Sequence, residues 1–419
     1  MKSPFSYISL FIMLTGLLVG FSTQIYAETP SWSQQSSAGH NWLSGRYGHA
    51  MAYLADDKLL MFGGMAQGRL QDTYVYDLSE NSWQQITGDP KPDNRLSFGM
   101  AHIAENKVLL FGGDLALGSL GTDTWLYDET AHRWAQLNPP NSPGARRNLA
   151  MSYIGDDKVL LFGGYQGTSA GNSSETWVYD LSDGNWTLMQ PANRPPGLQG
   201  HAMAYIGDDK VVLFGGMLVP ATQNYSDETW VYDLSENNWV QKYPSSRPVR
   251  RQLHDMAYIS PGRVVLYGGS VPGNPAPTAR NDTWIYNISD NSWTELLDIP
   301  NPGARTLHAM SETNMQGFSK VVLFSGSVDY ADTWVFAALG IGPACSDGID
   351  NDGDGQTDYP NDSLCTGPTD TSESMMCFFI GKNPHHRVCI AQILIPIIVV
   401  IGILVAGFVY RRWRSKTRA

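Results

Sequence analysis

Cysteine is scarce in this chain of 419 residues, and all of it lies near the C-terminus. The four cysteines are Cys345, Cys365, Cys377 and Cys389. The sequence also lacks the zinc-binding His-Glu-x-x-His signature and the glycine-rich phosphate loop. Cysteine chemistry is therefore excluded from the first 344 residues, and neither zinc-peptidase nor nucleotide-binding chemistry is indicated.

Positive charge is also in short supply. The chain carries 28 lysines and arginines against 40 aspartates and glutamates, which gives a formal net charge of −12. Six of the basic residues lie at the two ends, Lys2 near the start and five within residues 411–419, so the rest of the chain carries −12 − 6 = −18. Because phosphate backbones attract the opposite sign, a nucleic-acid partner is not expected.

Two long apolar runs lie at opposite ends of the chain. The first belongs to residues 1–27, which combine Lys2, an apolar stretch from Tyr7 to Phe21 and the small Ala27. This layout predicts a secretory signal peptide that is cleaved after Ala27. An uncleaved signal anchor is the alternative, and with either one the region that follows is delivered across a membrane.

The second run, residues 388–410, has 23 residues and is interrupted only by Gln392 and Pro396. As a helix it would be ~34 Å long, enough to cross a hydrocarbon core of ~30 Å. The basic residues 411–419 directly after it predict a cytoplasmic tail and an extracytoplasmic region before the helix. Removal of the helix during anchoring, as in bacterial sorting signals, is the alternative.

The cysteine count agrees with an exported segment. An even number of cysteines outside the cytoplasm predicts disulfides. Three connectivities are possible for four cysteines, and pairing in sequence order is favoured, Cys345 with Cys365 and Cys377 with Cys389.

Between these ends, a unit of about 50 residues recurs six times. Its first copy, Arg46 to Trp83, reads as four short strands: Ala50 to Leu54, Lys58 to Phe62, Thr73 to Asp77 and a run that Trp83 opens. A Gly-Gly pair, a Thr-Trp or Thr-Tyr pair after an acid, and a later tryptophan recur in step. The glycine pairs are spaced by 49 to 57 residues and begin at Gly63, Gly112, Gly163, Gly215 and Gly268, with Ser325 in the decayed sixth copy.

This pattern resembles the kelch repeat, in which each copy forms one four-stranded blade of a β-propeller. The resemblance implies an all-β, six-bladed propeller over residues 31–339. The sixth copy lacks a tryptophan strand, whereas Trp32 precedes Arg46 by 14 residues, close to the 12 residues between Trp83 and Arg95. We therefore predict that Ser31 to Ser37 forms the outer strand of the sixth blade and closes the ring.

The loops fall into two sets. Those between strands one and two and between strands three and four are short and acidic, such as Leu-Ala-Asp-Asp-Lys and Asp-Leu-Ser-Glu-Asn-Ser. The remaining loops, which would lie on the opposite face, are long and varied. Variable loops on a rigid scaffold are where recognition usually resides, so this second face is the predicted binding face.

Arginine and histidine recur on the predicted binding face. The arginines occupy one equivalent position in five repeats, with Leu198 in the other: Arg46, Arg95, Arg146, Arg251 and Arg305. The histidines follow three residues later in four repeats: His49, His201, His254 and His308. In the kelch family these positions lie at the mouth of the central channel. A guanidinium fork suits a carboxylate or phosphate ligand, and the alternative is an internal pair with acids such as Asp123 or Asp282. A metal site formed by the histidines is a third reading.

The resemblance also bears on enzymes. Kelch propellers that resemble galactose oxidase need a cysteine crosslinked to tyrosine within the blades, which this chain lacks. Sialic acid mutarotases need an acid/base and a carboxylate-binding arginine. Arg251 or Arg305 beside Glu175 or Glu228 are the candidates here. The leading hypothesis is a membrane-anchored, extracytoplasmic binding module, adhesin- or receptor-like, for an anionic glycan or protein ligand, with the mutarotase as the alternative.

A candidate calcium loop follows the propeller within residues 344–366, and residues 367–387 link it to the apolar run. Its acids match the start of a calcium-binding loop, in which hard oxygen ligands alternate. The candidate ligands are Asp350, Asp352, Asp354, Gln356, Asp358 and Asp362. Position twelve is Asn361 instead of glutamate, so the loop resembles those of dockerins more than an EF-hand. A merely solvated acidic spacer is the alternative to Ca²⁺ binding.

Overall fold

Six four-stranded antiparallel sheets form the main body of the protein. The structure, a computed structural model, describes residues 30–35, 43–219, 224–314 and 319–337, and the backbone of residues 377–379 and 387–389. Each large sheet is one blade, and its strands are called first to fourth from the centre outwards. The first strand of every blade contacts the first strands of both neighbouring blades. The blades therefore close into a ring around a channel, which confirms the predicted all-β, six-bladed propeller.

The blades are numbered in the order of the repeats. The strands of blades 1 to 3 are Ala50–Tyr53, Lys58–Phe62, Thr73–Asp77 and Ser82–Ile86; Gly99–Ala104, Lys107–Phe111, Thr124–Asp128 and Arg133–Leu137; and Ala150–Gly155, Lys158–Phe162, Thr176–Asp180 and Asn185–Met189. Those of blades 4 to 6 are Ala202–Gly207, Lys210–Phe214, Thr229–Asp233 and Asn238–Lys242; Asp255–Ser260, Arg263–Tyr267, Thr283–Asn287 and Ser292–Leu296; and Ala309–Glu312, Lys320–Phe324, Thr333–Ala337 and Ser31–Gln34.

The residue pattern of each strand follows its distance from the channel. Second strands such as Lys58–Phe62 are buried on both faces after their first residue, because a blade lies on either side. Fourth strands such as Ser82–Ile86 bury only the tryptophan fully, since they lie at the rim. Apolar side chains of adjacent blades form six clusters, one at each blade interface.

Blade 6 is completed by the start of the chain, as predicted. Ser31–Gln34 pairs antiparallel with Thr333–Ala337, and Trp32 lies opposite Phe336. The strand is shorter than the predicted Ser31 to Ser37. The amide of Gln35 still donates to the carbonyl of Thr333, at 2.8 Å, but Thr333 is the first residue of the partner strand, so the pairing ends there.

The recurring threonine and tryptophan meet across blade boundaries. The indole N–H of each outer tryptophan donates to the threonine that begins the third strand of the preceding blade, at 2.9–3.2 Å. The pairs are Trp83 with Thr333, Trp134 with Thr73, Trp186 with Thr124, Trp239 with Thr176, Trp293 with Thr229 and Trp32 with Thr283. Trp32 therefore completes the same six-fold pattern as the tryptophans of the contiguous blades.

A closed circle of backbone hydrogen bonds surrounds one mouth of the channel. Its six residues, here called the mouth ring, are Gly48, Ser97, Asn148, Gly200, Leu253 and Leu307. Each N–H donates to the carbonyl of the member in the preceding blade, at 2.7–3.0 Å. All six residues have positive φ, between 51° and 64°, which is costly for the two leucines. The circle supplies the hydrogen bonds that hold them there.

The two faces of the ring differ as the loop sequences predict. The turn face carries the short connections, such as Asp56-Asp57, in which both residues have positive φ. The loop face carries the long connections, which include a short 3₁₀ helix at Ala116–Gly118 and two small hairpins, Met217–Val219 with Asn224–Tyr225 and Ser270–Val271 with Thr278–Ala279. The mouth ring lies at the loop face.

Several predictions fall outside the described residues: the signal peptide of residues 1–27, the calcium loop with Asp350, Asp352, Asp354, Gln356, Asp358 and Asp362, and the basic tail of residues 411–419. The strands Cys377–Phe379 and Arg387–Cys389 pair with Cys377 opposite Cys389, but their side chains are not described, so the disulfides stay a prediction. In the described part of the chain, no helix has the length and apolar character needed to span a bilayer. The first two residues of the predicted span belong to Arg387–Cys389, and the others lie outside.

Candidate functional site at the loop face and the channel

The five predicted arginines lie just below the loop face, at the start of their blades. Each donates to the carboxylate that precedes the third strand of its own blade, with N···O distances of 2.7–3.0 Å. The pairs are Arg46 with Asp72, Arg95 with Asp123, Arg146 with Glu175, Arg251 with Asp282 and Arg305 with Asp332. The guanidinium groups are almost completely buried, with 0–2% of each arginine exposed.

Arg251 shows how fully these side chains are used. Its Nη1 donates to the carbonyl of Gly268 and to Asp282 Oδ1, both at 2.8 Å, and its Nη2 donates to Asp282 Oδ2 at 2.7 Å. Its Nε donates to the carbonyl of Val249 at 3.0 Å, so four of its five N–H groups are engaged. The fork holds two loops of one blade together and is not open to a ligand. The geometry thus favours the internal-pair alternative over the predicted ligand-binding role.

The carboxylates are adapted to these pairs. Burial raises the pKa of Asp282, but the hydrogen bonds and charge of Arg251, together with the indole N–H of Trp284, outweigh it and hold the pKa below its usual range. The same balance lowers the pKa of Asp123 beside Arg95. Blade 4 departs from the pattern because Leu198 replaces the arginine. Its acid, Glu228, is partly exposed and accepts the indole N–H of Trp230 at 2.8 Å.

The four predicted histidines are buried in the channel wall, and their rings pack against the preceding blade. Each ring packs edge-on against the aromatic residue that ends the second strand of that blade, with centroids 5.5–5.7 Å apart. The pairs are His49 with Phe324, His201 with Phe162, His254 with Phe214 and His308 with Tyr267. Phe98 makes the equivalent contact with Phe62 in blade 2, at 5.7 Å. The position is therefore a packing position that histidine and phenylalanine share.

Burial keeps these histidines neutral. Within the described residues neither ring nitrogen has a hydrogen bond of normal geometry, although the carbonyl of each aromatic partner lies near. Desolvation lowers the pKa of all four, to about 3 for His201 and His308. No metal-binding group of three or more histidine, cysteine, aspartate or glutamate side chains occurs among the described residues. The four histidines belong to four different blades, and the described residues give no support to the third reading, in which these histidines bind a metal ion.

The mutarotase candidates are not brought together as that hypothesis requires. Arg251 pairs with Asp282 and Arg305 with Asp332, while Glu175 pairs with Arg146. The sequence also contains one Gly-x-Ser-x-Gly match, at residues 167–171. It lies in a loop of blade 3 instead of a strand-to-helix turn, so it is not a nucleophile elbow.

The channel itself is lined by the first strands. Its cavity volume is about 170 Å³. Small side chains, alanine, glycine or serine, recur along its wall, with one exception at the first position of the first strand. Asp255 stands there where the other blades have Ala50, Gly99, Ala150, Ala202 and Ala309. Its two carboxylate oxygens accept the amides of Met256 and Met310, at 2.8 and 2.7 Å, so it ties blade 5 to blade 6.

A charged cluster on the loop face did not stand out from the sequence. Asp114 accepts hydrogen bonds from Arg69 at 3.1 Å and from Arg147 at 2.7 Å, and the Arg147 guanidinium lies 5.3 Å from the ring centre of Tyr165. Two arginines share one carboxylate, which leaves a surplus positive charge. Arg147 directly precedes Asn148 of the mouth ring, so this surplus lies beside the channel mouth. Only the fold joins loops of blades 1, 2 and 3 in this way.

These features define the class of protein: a closed β-propeller with a framework repeated six times and one variable face. A family model for the KLHDC2/KLHL20/DRC7 Kelch-repeats domain matches residues 21–216 and 150–339, and the chain belongs to the kelch-repeat family. Kelch propellers are generally protein-binding modules.

Curated relatives share this part of the chain. Multiple epidermal growth factor-like domains protein 8 of Mus musculus is 29% identical over 298 residues, which is 64% of this chain and 10% of that protein. F-box/kelch-repeat protein At1g51550 and Adagio protein 3, both of Arabidopsis thaliana, are 26% and 27% identical and cover 58% and 64% of this chain. The chain spans 55% and 44% of the length of these two plant proteins.

Proposed function

We propose that this kelch propeller is an extracytoplasmic recognition module whose loop face binds an acidic segment of a partner protein. The observation that carries the proposal is the arrangement of Arg69, Asp114 and Arg147 beside the channel mouth. Its surplus charge is aimed at the face where the loops vary most. An anionic glycan presents the same charge and is tested alongside.

The chemistry around this cluster suits a peptide. Arg147 rests against Tyr165, which fixes the guanidinium while leaving it 39% exposed. Arginine and tyrosine are enriched among the residues that dominate protein interfaces. The mouth ring adds an apolar pair, Leu253 and Leu307, opposite the polar Ser97 and Asn148. A bound segment can therefore place acidic and apolar side chains on different sides of the mouth.

Exposed apolar residues on the same loops extend the surface. Leu117, Val249, Val328 and Tyr330 all lie in loop-face connections and are exposed. They belong to loops of blades 2, 5 and 6, so a partner that spans the channel mouth would contact apolar side chains on more than one blade. The described part of the turn face contributes none of the exposed large apolar side chains in its short connections.

The setting of the propeller remains part of the proposal. The predicted signal peptide supports export, and the predicted span of residues 388–410 followed by basic residues supports anchoring with the propeller outside the cytoplasm. The acidic segment 344–366 would bind Ca²⁺ as a structural ion through the six candidate ligands named above. It would stiffen the stalk because the ion offsets repulsion between the carboxylates.

The test measures binding of the purified full-length protein to arrays of acidic peptides and of sulfated or sialylated glycans. We expect Arg147→Ala to weaken binding of the best acidic peptide about tenfold, as for loss of a charged interface contact. Arg133→Ala is the matched control, because Arg133 is an exposed arginine on an outer strand. Equal loss in both variants, or none in Arg147→Ala, would overturn the peptide proposal. Binding to glycans alone would assign the face to carbohydrate.

A further inference from the structure

The turn-face end of the channel is surrounded by aromatic side chains that occupy one position in five consecutive first strands. These residues, together called the aromatic ring, are Tyr53, His102, Tyr153, Tyr205 and Tyr258. Each lies next to the following one across a blade boundary, with centroid distances of 5.0, 5.2, 5.3 and 6.0 Å. The repeats thus place five π-systems around the channel axis.

Glu312 takes the equivalent position in blade 6 and completes the circle. Backbone amides of Glu312 and Tyr258 donate to its carboxylate, and burial raises its pKa to about 7. Among the described residues, the charges that act most strongly on this carboxyl and on Asp255 further along the channel include no lysine, arginine or histidine. The channel therefore holds two carboxyl groups, neither of which has a strong cationic partner in the described part of the chain.

The dimensions suit a small cation. The four measured sides of this six-membered circle are 5.0–6.0 Å long. A regular hexagon has a radius equal to its side, so a cation on the axis would lie about 5–6 Å from the ring centres, within the ~6 Å reach of cation–π attraction. Tyr153, Tyr205 and Glu312 also line the cavity above, where alanine and serine leave space. An alkyl chain attached to the cation can extend into this space.

The surroundings favour the same sign of charge. Exposed or partly exposed acids in the turns next to the aromatic ring attract cations and repel anions. They are Asp56, Asp57, Glu105, Asp156, Asp157, Asp208 and Asp209. The nearest recurring basic residues, such as Lys158 and Lys210, lean away to Asp180 and Asp233 at the ends of the third strands.

We propose that the aromatic ring and Glu312 form a binding site for an organic ammonium group, entered from the turn face. The site is separate from the loop face and takes the opposite charge. The ammonium group would come from a free alkylamine or from a lysine side chain of a partner. Glu312 supplies the counter-charge, and the tyrosines supply π-faces and desolvation.

Ligand-observed NMR on the full-length protein in neutral detergent tests the site with n-butylammonium chloride, against sodium chloride at the same ionic strength. We expect saturable binding that Glu312→Gln weakens about tenfold, as for loss of a desolvated ion pair. Tyr205→Leu should weaken it about fivefold while Tyr205→Phe retains it, because phenylalanine keeps the π-face. Glu236→Gln, on an exposed turn of blade 4, is the matched control.

Equal binding by Glu312→Gln and the parent protein, or equal effects of the leucine and phenylalanine variants, would overturn the proposal. A thermal unfolding scan of each variant shows that a loss of binding does not come from loss of the fold. A single-lysine peptide and its norleucine analogue separate the two sources of ammonium. If the lysine peptide, but not its norleucine analogue, displaces butylammonium at a concentration below that of butylammonium itself, the site is assigned to a protein side chain. If the lysine peptide displaces butylammonium only at a higher concentration than that, the site is assigned to a free amine.

Discussion

The two ends of the blades carry recurring ion pairs that look alike in sequence and differ in burial and geometry. At the loop end, arginines with 0–1% exposed side chains grip carboxylates at 2.7–3.0 Å. At the turn end, Lys107, Lys158 and Lys210, with 26–33% exposed side chains, approach aspartates at 3.3–3.9 Å. Both sets recur from repeat to repeat. Recurrence therefore reports a repeated fold, and only burial and geometry tell which pairs stabilise it.

The comparison is sharpest where one partner is removed. Arg251→Met should lower the free energy of unfolding by about 3–5 kcal/mol, because Asp282 would stay buried without its hydrogen-bonded counter-charge and would keep only the more distant Arg280, at 3.9 Å. Urea unfolding of the parent and the variant measures this difference. The double variant Arg251→Met with Asp282→Asn should recover most of the loss. A loss below about 1 kcal/mol in the single variant would contradict a structural role for the pair.

Acid should act on the histidines below the loop face. Because folding lowers the pKa of these histidines, the folded state binds fewer protons than the unfolded state below pH ~6.5. The free energy of unfolding is therefore highest above that pH and falls as the pH is lowered. His201→Phe, which introduces the residue that blade 2 already carries as Phe98, should reduce the slope of unfolding free energy between pH 6 and 4 by about 1.4 kcal/mol per pH unit. Urea titrations at several pH values measure it. An unchanged slope would mean that His201 is protonated in the fold.

The smallest effect belongs to the turn end. Lys158→Met should change the free energy of unfolding by less than about 0.5 kcal/mol, because its pair with Asp180 is partly exposed and is screened by water and salt. The measurement is again urea unfolding, at low and at high salt. A loss comparable to that of Arg251→Met would erase the distinction between the two ends.

Much of the fold was accessible from the sequence because every repeat carries the same landmarks. The spacing of Trp32 predicted the closing strand, and its hydrogen bond to Thr283 shows why that residue must be tryptophan. The role of Arg251 was not accessible, since a guanidinium that binds a ligand and one that binds Asp282 have the same sequence signature. Only the burial of the whole pair separates them.

The candidate sites were harder to predict for a different reason. The aromatic ring mixes tyrosine with histidine, and blade 6 has Glu312 at the equivalent position, so these six residues do not form a recognisable motif along the chain. Asp255 likewise breaks a row of alanines and glycine that is visible only once the blades are superimposed by the fold. The charged cluster of Arg69, Asp114 and Arg147 joins loops from neighbouring repeats. Proximity across repeats is a product of ring closure, not of spacing in sequence.

The strand Ser31–Gln34 gives the chain an order of assembly. This strand is synthesised before the other strands of the propeller, whereas its partner, Thr333–Ala337, follows about 300 residues later. Until then Trp32 has no sheet to join, and blades already made have an unsealed side. A messenger cut short before the sixth repeat would thus yield an open arc with bare strand edges, which quality-control proteases and chaperones recognise. Because the first strand of the propeller closes the ring, the fold can be completed only after the sixth repeat has been synthesised.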